Sequence, residues 1–247
     1  MSVINDVVID RFVADAFQRI GRLDRLLDLG CGQQPYARHY RDGAQEVISA
    51  DYEVRTQISV RLSAMALPFR EQVFDAVLFS EVLEHLHDPE AALREIARVT
   101  RPGGRLILTV PFNYLQHEIP HDHIRYTQFG LVCALSRHGF EVRRLYQRGS
   151  LLTLLFALAE FLVRLAGAAL VRLPLLGRLV RPVNSLVLAL WTRICGFVWG
   201  RLAERNLIDV ERQPQALHTG STLHGARGHL RLWTLGYCVL AERIGKR

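Results

Sequence analysis

From Leu26 to Gln147, short apolar runs ending on acids or small residues alternate with stretches of helical spacing. This alternation constrains the fold more than any other feature of the chain. "RLLDLG" reads as a first strand, and "EVISADY" as a second that ends on Asp51. "FDAVLFSEV" is an apolar strand, followed by the helix "DPEAALREIARVT" with a proline and acids in its first turn. "RPGGRLILTVPF" gives a turn and a strand, and "TQFGLVCALSRHGFEVRRLYQR" a helix, a glycine stop and a strand. "LWTLGYCVLAER" supplies one more strand near the C-terminus. Such an order requires parallel strands joined by right-handed crossovers, an α/β doubly wound sheet. Ligands on these sheets lie at the carboxyl ends of the strands, where Asp28, Asp51 and Ser80–Glu81 fall.

The formal charge of +7 raises the question of nucleic acid, but the basic residues are arginines apart from Lys246, are scattered, and accompany no nucleic-acid module. No nucleic-acid partner is therefore expected. Cys31, Cys133, Cys195 and Cys238 lie far apart without a CxxC pair, which argues against structural zinc and disulfides and for reduced, buried thiols. The opening "MSVINDVVIDRFVADAFQRI" reads as an amphipathic helix without a signal-peptide core, so a cytoplasmic protein is expected.

After Gly149 the composition shifts. Leu151 to Leu202 is rich in Leu, Ala, Val, Phe and Trp, with six arginines and one acid, Glu160. The stretch Leu151–Val171 is long enough to cross a bilayer, but Glu160 and Arg164 lie one turn apart near its centre. Each central charge costs roughly 2.5–3.5 kcal/mol, while each large apolar residue returns about 0.3–0.6 kcal/mol, so insertion is nearly balanced. Three readings follow: a helical hairpin in the membrane surface with snorkelling arginines, a lid or interface packed on protein, and a true span. The surface hairpin is the expectation, and the protein is placed at the inner face of the membrane. The domain reading is a core over 1–150, an apolar helical insertion over 151–225 and a closing strand over 226–247.

"RLLDLGCGQQPYARHY" ends a strand on Asp28, Gly30 and Gly32, and a helix is expected to start at once. Strand, glycine turn and helix N-terminus form a device for holding a nucleotide-like ligand. A dinucleotide-binding fingerprint would want a third glycine where Pro35 stands. "LLDLGCGQQPY", Asp51, "ALPFREQVFDAVLFSEVLEHL" and "RVTRPGGRLILTVP" follow in order at normal spacing. Together they resemble a class I S-adenosylmethionine-dependent methyltransferase of the type 11 subgroup, similar to those of surface-polysaccharide pathways. The resemblance covers Leu26 to Gln147 and the closing strand Trp233–Arg243. It implies a mostly parallel seven-stranded sheet whose last strand is antiparallel, and S-adenosylmethionine as cofactor.

The resemblance also distributes roles. Asp28 engages the cofactor ammonium, while Gly30, Cys31 and Gly32 bring bare backbone against its amino-acid end. Asp51 accepts the ribose hydroxyls with Tyr52 beside it, Ser63, Ala64 and Met65 line the adenine edge, and Ser80 and Glu81 complete the cradle. Many relatives carry glycine at the Gln34 position and aspartate at the Ser63 position.

Methyl transfer is a one-step displacement that chiefly needs alignment and the exclusion of water. Glu81, Glu84 and His85 are spaced i, i+3 and i+4, which places them on one helix face. Some hydroxyl-methylating relatives hold a divalent metal with such an ExxEH run. Here the expectation is no metal, with Glu81 orienting the cofactor and Glu84 and His85 capping and packing. In "PFNYLQHEIPHDHIRYT", a loop after the fifth strand, His117, Glu118, His121, Asp122, His123, Arg125 and Tyr126 crowd into ten positions. It reads as an acceptor-recognition loop, with His121 or His117 as base, Asp122 orienting it, and Arg125 as an anion or positioning contact. The expected acceptor is a glycan, lipid-linked or other amphipathic molecule methylated on oxygen. The alternatives are a small hydrophobic aromatic or quinone acceptor, and an inactive membrane-bound scaffold.

Overall fold

Successive side chains of the central strands enter two different cores in the computed structural model, which describes residues 3–53, 57–149, 207–209 and 234–245, with scattered helical positions between 151 and 193. On β1 (Leu23–Leu29), Leu27 and Leu29 enter one core while Leu26 enters the other. On β4 (Phe74–Ser80), Val77 and Phe79 face the first core, and Ala76 and Leu78 the second. The strand period of two thus builds two apolar layers from one buried sheet. Helix α1 (Val3–Ile20) covers one face with Ile9, Phe12, Val13 and Phe17. Helices α2 (Pro89–Val99) and α3 (Gln128–Arg137) cover the other with Leu93, Ile96, Leu131 and Leu135. Asp88 caps α2 by accepting the Ala91 N–H, and Thr127 caps α3 through Gly130.

Strands β1, β2 (Ala44–Asp51), β3 (Val60–Arg61), β4 and β5 (Thr100–Pro111) run parallel. The closing strand β8 (Gly236–Arg243) lies antiparallel between β5 and β6 (Phe140–Gln147). The sheet order is β3-β2-β1-β4-β5-β8-β6-β7. The expected mostly parallel seven-stranded sheet is therefore present. An additional edge strand, β7 (Leu207–Asp209), pairs antiparallel with β6 from within the stretch assigned to the insertion. The direction of winding reverses between β1 and β4, and this reversal opens the crevice in which such sheets bind ligands.

Two local expectations are corrected. No α-helix starts after the glycine loop: turns carry the chain to a three-residue 3₁₀ helix, Ala37–His39, because Gln34 adopts a left-handed φ of 54° and Pro35 follows it. Nor do Glu81, Glu84 and His85 share an α-helical face. Glu81 is itself left-handed (φ 54°), and only Leu83–His85 forms a single 3₁₀ turn. Cys31 and Cys238 are buried as expected, but Cys133 is exposed.

Most of 151–206 and 210–233, including Glu160, Arg164 and Cys195, lies outside the described residues, and so do most of the positions on which the three readings of the apolar segment rest. Among the described residues no helix is long and apolar enough to cross a membrane. Leu155, Leu158, Leu162 and Leu165 are helical and between 53% and 57% exposed. The described ends flanking the apolar stretch meet: Arg148 N–H donates to Gly236 O at 2.8 Å, and Leu235 N–H to Arg148 O at 2.9 Å. Phe112 N–H also donates to Leu235 O at 2.7 Å, so this junction adjoins the ligand end of β5.

Candidate active site

The carboxyl ends of β1 and β2 bring Asp28 and Asp51 to either side of the glycine turn. Asp28 is buried and accepts the Tyr40 hydroxyl at 2.6 Å. Burial pushes its carboxyl up to about 6; Tyr40 offsets part of that rise, and the nearby Asp51 charge adds to it. A buried carboxylate that costs this much to ionise is well placed to meet a cation. The Asp51 carboxylate accepts the Gly32 N–H at 2.7 Å and the Glu53 N–H at 2.9 Å, which ties the end of β2 to the turn.

The two glycines have different reasons to be there. A Cβ on Gly30 (φ +70°) would stand 2.3 Å from a Val82 methyl carbon, so packing against Val82 already requires the bareness at position 30. A Cβ on Gly32 (φ +52°) would meet nothing within 4 Å, which leaves open space beside Asp51. Cys31 N–H donates to Ala50 O, and burial pushes its thiol up to about 12, so the sulfur stays protonated. Tyr52 follows Asp51 as a residue 68% exposed, with the Arg61 guanidinium 5.7 Å from its ring centroid. Ser63, Ala64 and Met65 form a small turn in which Ser63 Oγ accepts the Met65 N–H, and Ala64 is buried. These residues suit a ligand that carries an ammonium group and a sugar diol.

The end of β4 is wired differently. Ser80 and Thr109 share a hydroxyl hydrogen bond of 2.8 Å, and Thr109 donates to Glu81 Oε1 at 2.9 Å. The other Glu81 oxygen lies 3.0 Å from Nη1 of Arg148, a fully buried arginine. Arg148 went unrecognised in the sequence because it is one of many arginines and lies 67 positions from its partner. Glu84 turns inward with 1% of its side chain exposed. Burial and then the neighbouring Glu81 push its carboxyl well above the ordinary range.

The loop after β5 gathers against this point. His85 Nδ1 lies 2.8 Å from the His121 carbonyl, and its Nε2 lies 3.7 Å from Glu84 Oε1. His117 packs edge-on against His85 with ring centroids 4.8 Å apart. Its Nδ1 lies 3.2 Å from Leu115 O and 3.3 Å from Asp122 Oδ2. Arg125 grips Asp122 with both terminal nitrogens, one at 2.6 Å, and holds that carboxyl well below the usual range. Asp122 also accepts the His117 N–H at 3.0 Å. The structure thus brings His117, Asp122 and Arg125 together. His121 contributes its carbonyl, while its ring is exposed beside His123.

Comparison with known proteins bears on this geometry. Residues 27–108 match the family model described as a methyltransferase domain. The demethylmenaquinone methyltransferase of Mycobacterium marinum is 41% identical over 98 residues, which is 36% of this chain and 42% of that protein. The chain thus spans about two fifths (42%) of the length of this relative. Among solved structures, the cyclase SpnF is 20% identical with a TM-score of 0.54, covering 96% of this chain and 80% of that one. A Bacillus halodurans C-125 protein named as a methyltransferase candidate is 12% identical with a TM-score of 0.52, covering 94% of this chain and 99% of that one. At such identities the last two establish the fold alone, and a fold hosts more than one chemistry.

Proposed function

We propose, from the premise that the core is a class I methyltransferase domain, that this protein transfers the methyl group of S-adenosylmethionine to a small hydrophobic aromatic or quinone-type acceptor. The observation that carries the reading is the open space at Gly32 flanked by the two strand-end carboxylates, Asp28 and Asp51. Asp28 pairs with the cofactor ammonium, and Asp51 exchanges part of its backbone hydrogen bonding for the ribose hydroxyls. Tyr52 offers an exposed ring beside them, and Ser63–Met65 line the adenine edge without the charge assistance a carboxylate would give. Ser80 and Glu81, held by Thr109 and Arg148, would close the β4 end of the cofactor cradle with side chains fixed in place. The cofactor supplies an electrophilic methyl on a sulfonium. The protein's task is alignment and the exclusion of water.

The acceptor class rests on the relatives that match over part of the chain, whose name specifies a demethylated menaquinone, and on the apolar character of 151–202. Leu155, Leu158, Leu162 and Leu165 present exposed hydrocarbon that suits the interface of a membrane, where such acceptors dissolve. The polar loop supplies the other half of an amphipathic acceptor: His117 and Arg125, both held by Asp122, face its oxygen end. The same loop would suit a lipid-linked sugar hydroxyl, which is the second reading. The test supplies methyl-labelled S-adenosylmethionine with a chemically reduced polyprenyl naphthoquinone or with a lipid-linked glycan extract. Label in the quinone supports the proposal, label in the glycan favours the second reading, and transfer to neither overturns both.

A further inference from the structure

We propose that Glu84, His85 and His117 form a binding site for one divalent transition-metal cation, with Zn²⁺ as the reference ion. One ligand atom from each of the three lies within 4.8 Å of the others. Two imidazoles and one carboxylate are a donor set that holds zinc and its first-row neighbours while leaving a position open. This departs from the expectation of no metal, and it also changes the ligands. Glu81 is committed to Arg148 and Thr109, and His117 enters from a loop more than thirty positions away.

Three observations support a cation rather than mere packing. Neither Glu84 oxygen has a hydrogen-bond partner among the described residues, although its side chain is only 1% exposed. A buried polar group of this kind ordinarily finds one. The two arginines near Glu84 are already engaged, Arg148 with Glu81 and Arg125 with Asp122, and His85 Nε2 lies 3.7 Å from its Oε1, beyond hydrogen-bond distance. Both histidines are also set in one tautomer. A carbonyl can only accept, so the Nδ1–H of His85 donates to His121 O, and that of His117 to Leu115 O with Asp122 close by. Each ring then offers the Nε2 lone pair, with the outer hydrogen bond that metal-bound imidazoles ordinarily make. Bonds of about 2.1 Å at tetrahedral angles space donors roughly 3.4 Å apart; His85 Nε2 and Glu84 Oε1, 3.7 Å apart, are near that spacing, and a ring nitrogen of His117 lies within 4.8 Å of the group. Glu118 Oε2, 4.0 Å from His85 Nε2, stands on the exposed side.

The role of the ion rests on the methyl-transfer reading. An acceptor hydroxyl coordinated at the open position loses its proton to water at neutral pH. The methyl carbon then bonds to that oxygen, or to the ring carbon it activates, which afterwards gives up its own proton to water as the ring regains aromaticity; in both cases the sulfur keeps the electron pair of the broken S–C bond.

The test titrates chelator-stripped full-length protein with ZnCl₂ by calorimetry and with Co²⁺ by visible absorption, alongside His117→Ala and Glu84→Gln. Expected are one equivalent bound, ligand-field bands of a low-coordinate cobalt site, and at least tenfold weaker binding in each variant. Stoichiometric binding that both variants leave unchanged, or no saturable binding by the wild type, overturns the site. Thermal unfolding of metal-free His117→Ala by circular dichroism controls for folding and is expected to be as cooperative as that of the wild type, because the side chain is partly exposed. Metal binding without any cofactor binding by the wild type would keep the site and overturn its assigned role.

Discussion

Replacing Asp28 with asparagine should make the ligand-free protein more stable while weakening its grip on the cofactor. Burial lifts the Asp28 carboxyl from 3.8 to about 6 in the fold, with Asp51 adding to the rise and the Tyr40 hydrogen bond opposing it. The native state therefore holds this proton more tightly than the unfolded chain does. Stability from this group is fully present below about pH 3.8, declines as the pH rises through about 6, and stays low above it. At about 1.4 kcal/mol per pH unit, the displacement amounts to ~3 kcal/mol. Asparagine keeps the size and an oxygen that can accept from Tyr40, but carries no charge to desolvate. At pH 8 the variant should melt higher than the wild type by roughly 5–10 °C. The wild type's loss of stability between about pH 4 and 6 should be correspondingly smaller in the variant. Thermal unfolding followed by circular dichroism from pH 4 to 8 measures both quantities. A variant that melts at or below the wild type at pH 8 would refute the reasoning, because Asp28 would then be stabilising the fold through its charge.

Other perturbations test other parts of the site. Gly30→Ala should cost about 2–4 kcal/mol in urea unfolding, from left-handed strain plus the clash with Val82, and Val82→Ala in the same chain should recover the clash. Gly32→Ala should cost only about 1–2 kcal/mol, yet weaken cofactor binding in calorimetry more than its stability effect explains. Arg148→Met strands Glu81 in the interior and should destabilise by about 3–5 kcal/mol, with partial rescue by Glu81→Gln, read by chemical denaturation. Cofactor affinity should fall towards tenfold per pH unit below about 6 as Asp28 takes up its proton, and Asp28→Asn should lose that dependence.

What the sequence made legible was whatever local chemistry controls. Strand ends are written in apolar runs that stop at Asp28, Asp51 and Ser80, and helix starts in Asp88-Pro89 and Thr127, because propensity and capping act over a few residues. The i, i+3, i+4 spacing at Glu81, Glu84 and His85 misled because it assumes a helix, whereas the chain leaves β4 through a left-handed residue and a single 3₁₀ turn. The glycine at position 30 is also required by Val82, fifty-two residues on, and no local pattern marks that contact. Tyr40 on Asp28, Arg148 under Glu81 and His117 beside Glu84 are tertiary pairings, and no local pattern marks them. The edge strand Leu207–Asp209 likewise owes its identity to pairing with β6.

The account stands on the cradle at the ends of β1 and β2, and calorimetric titration with S-adenosylhomocysteine tests it most directly. The prediction is one site per chain in the wild type and at least tenfold weaker binding in Asp51→Ala, with the variant still cooperatively folded. A wild-type protein that takes up no ligand, or an Asp51→Ala variant that binds equally well, would contradict it.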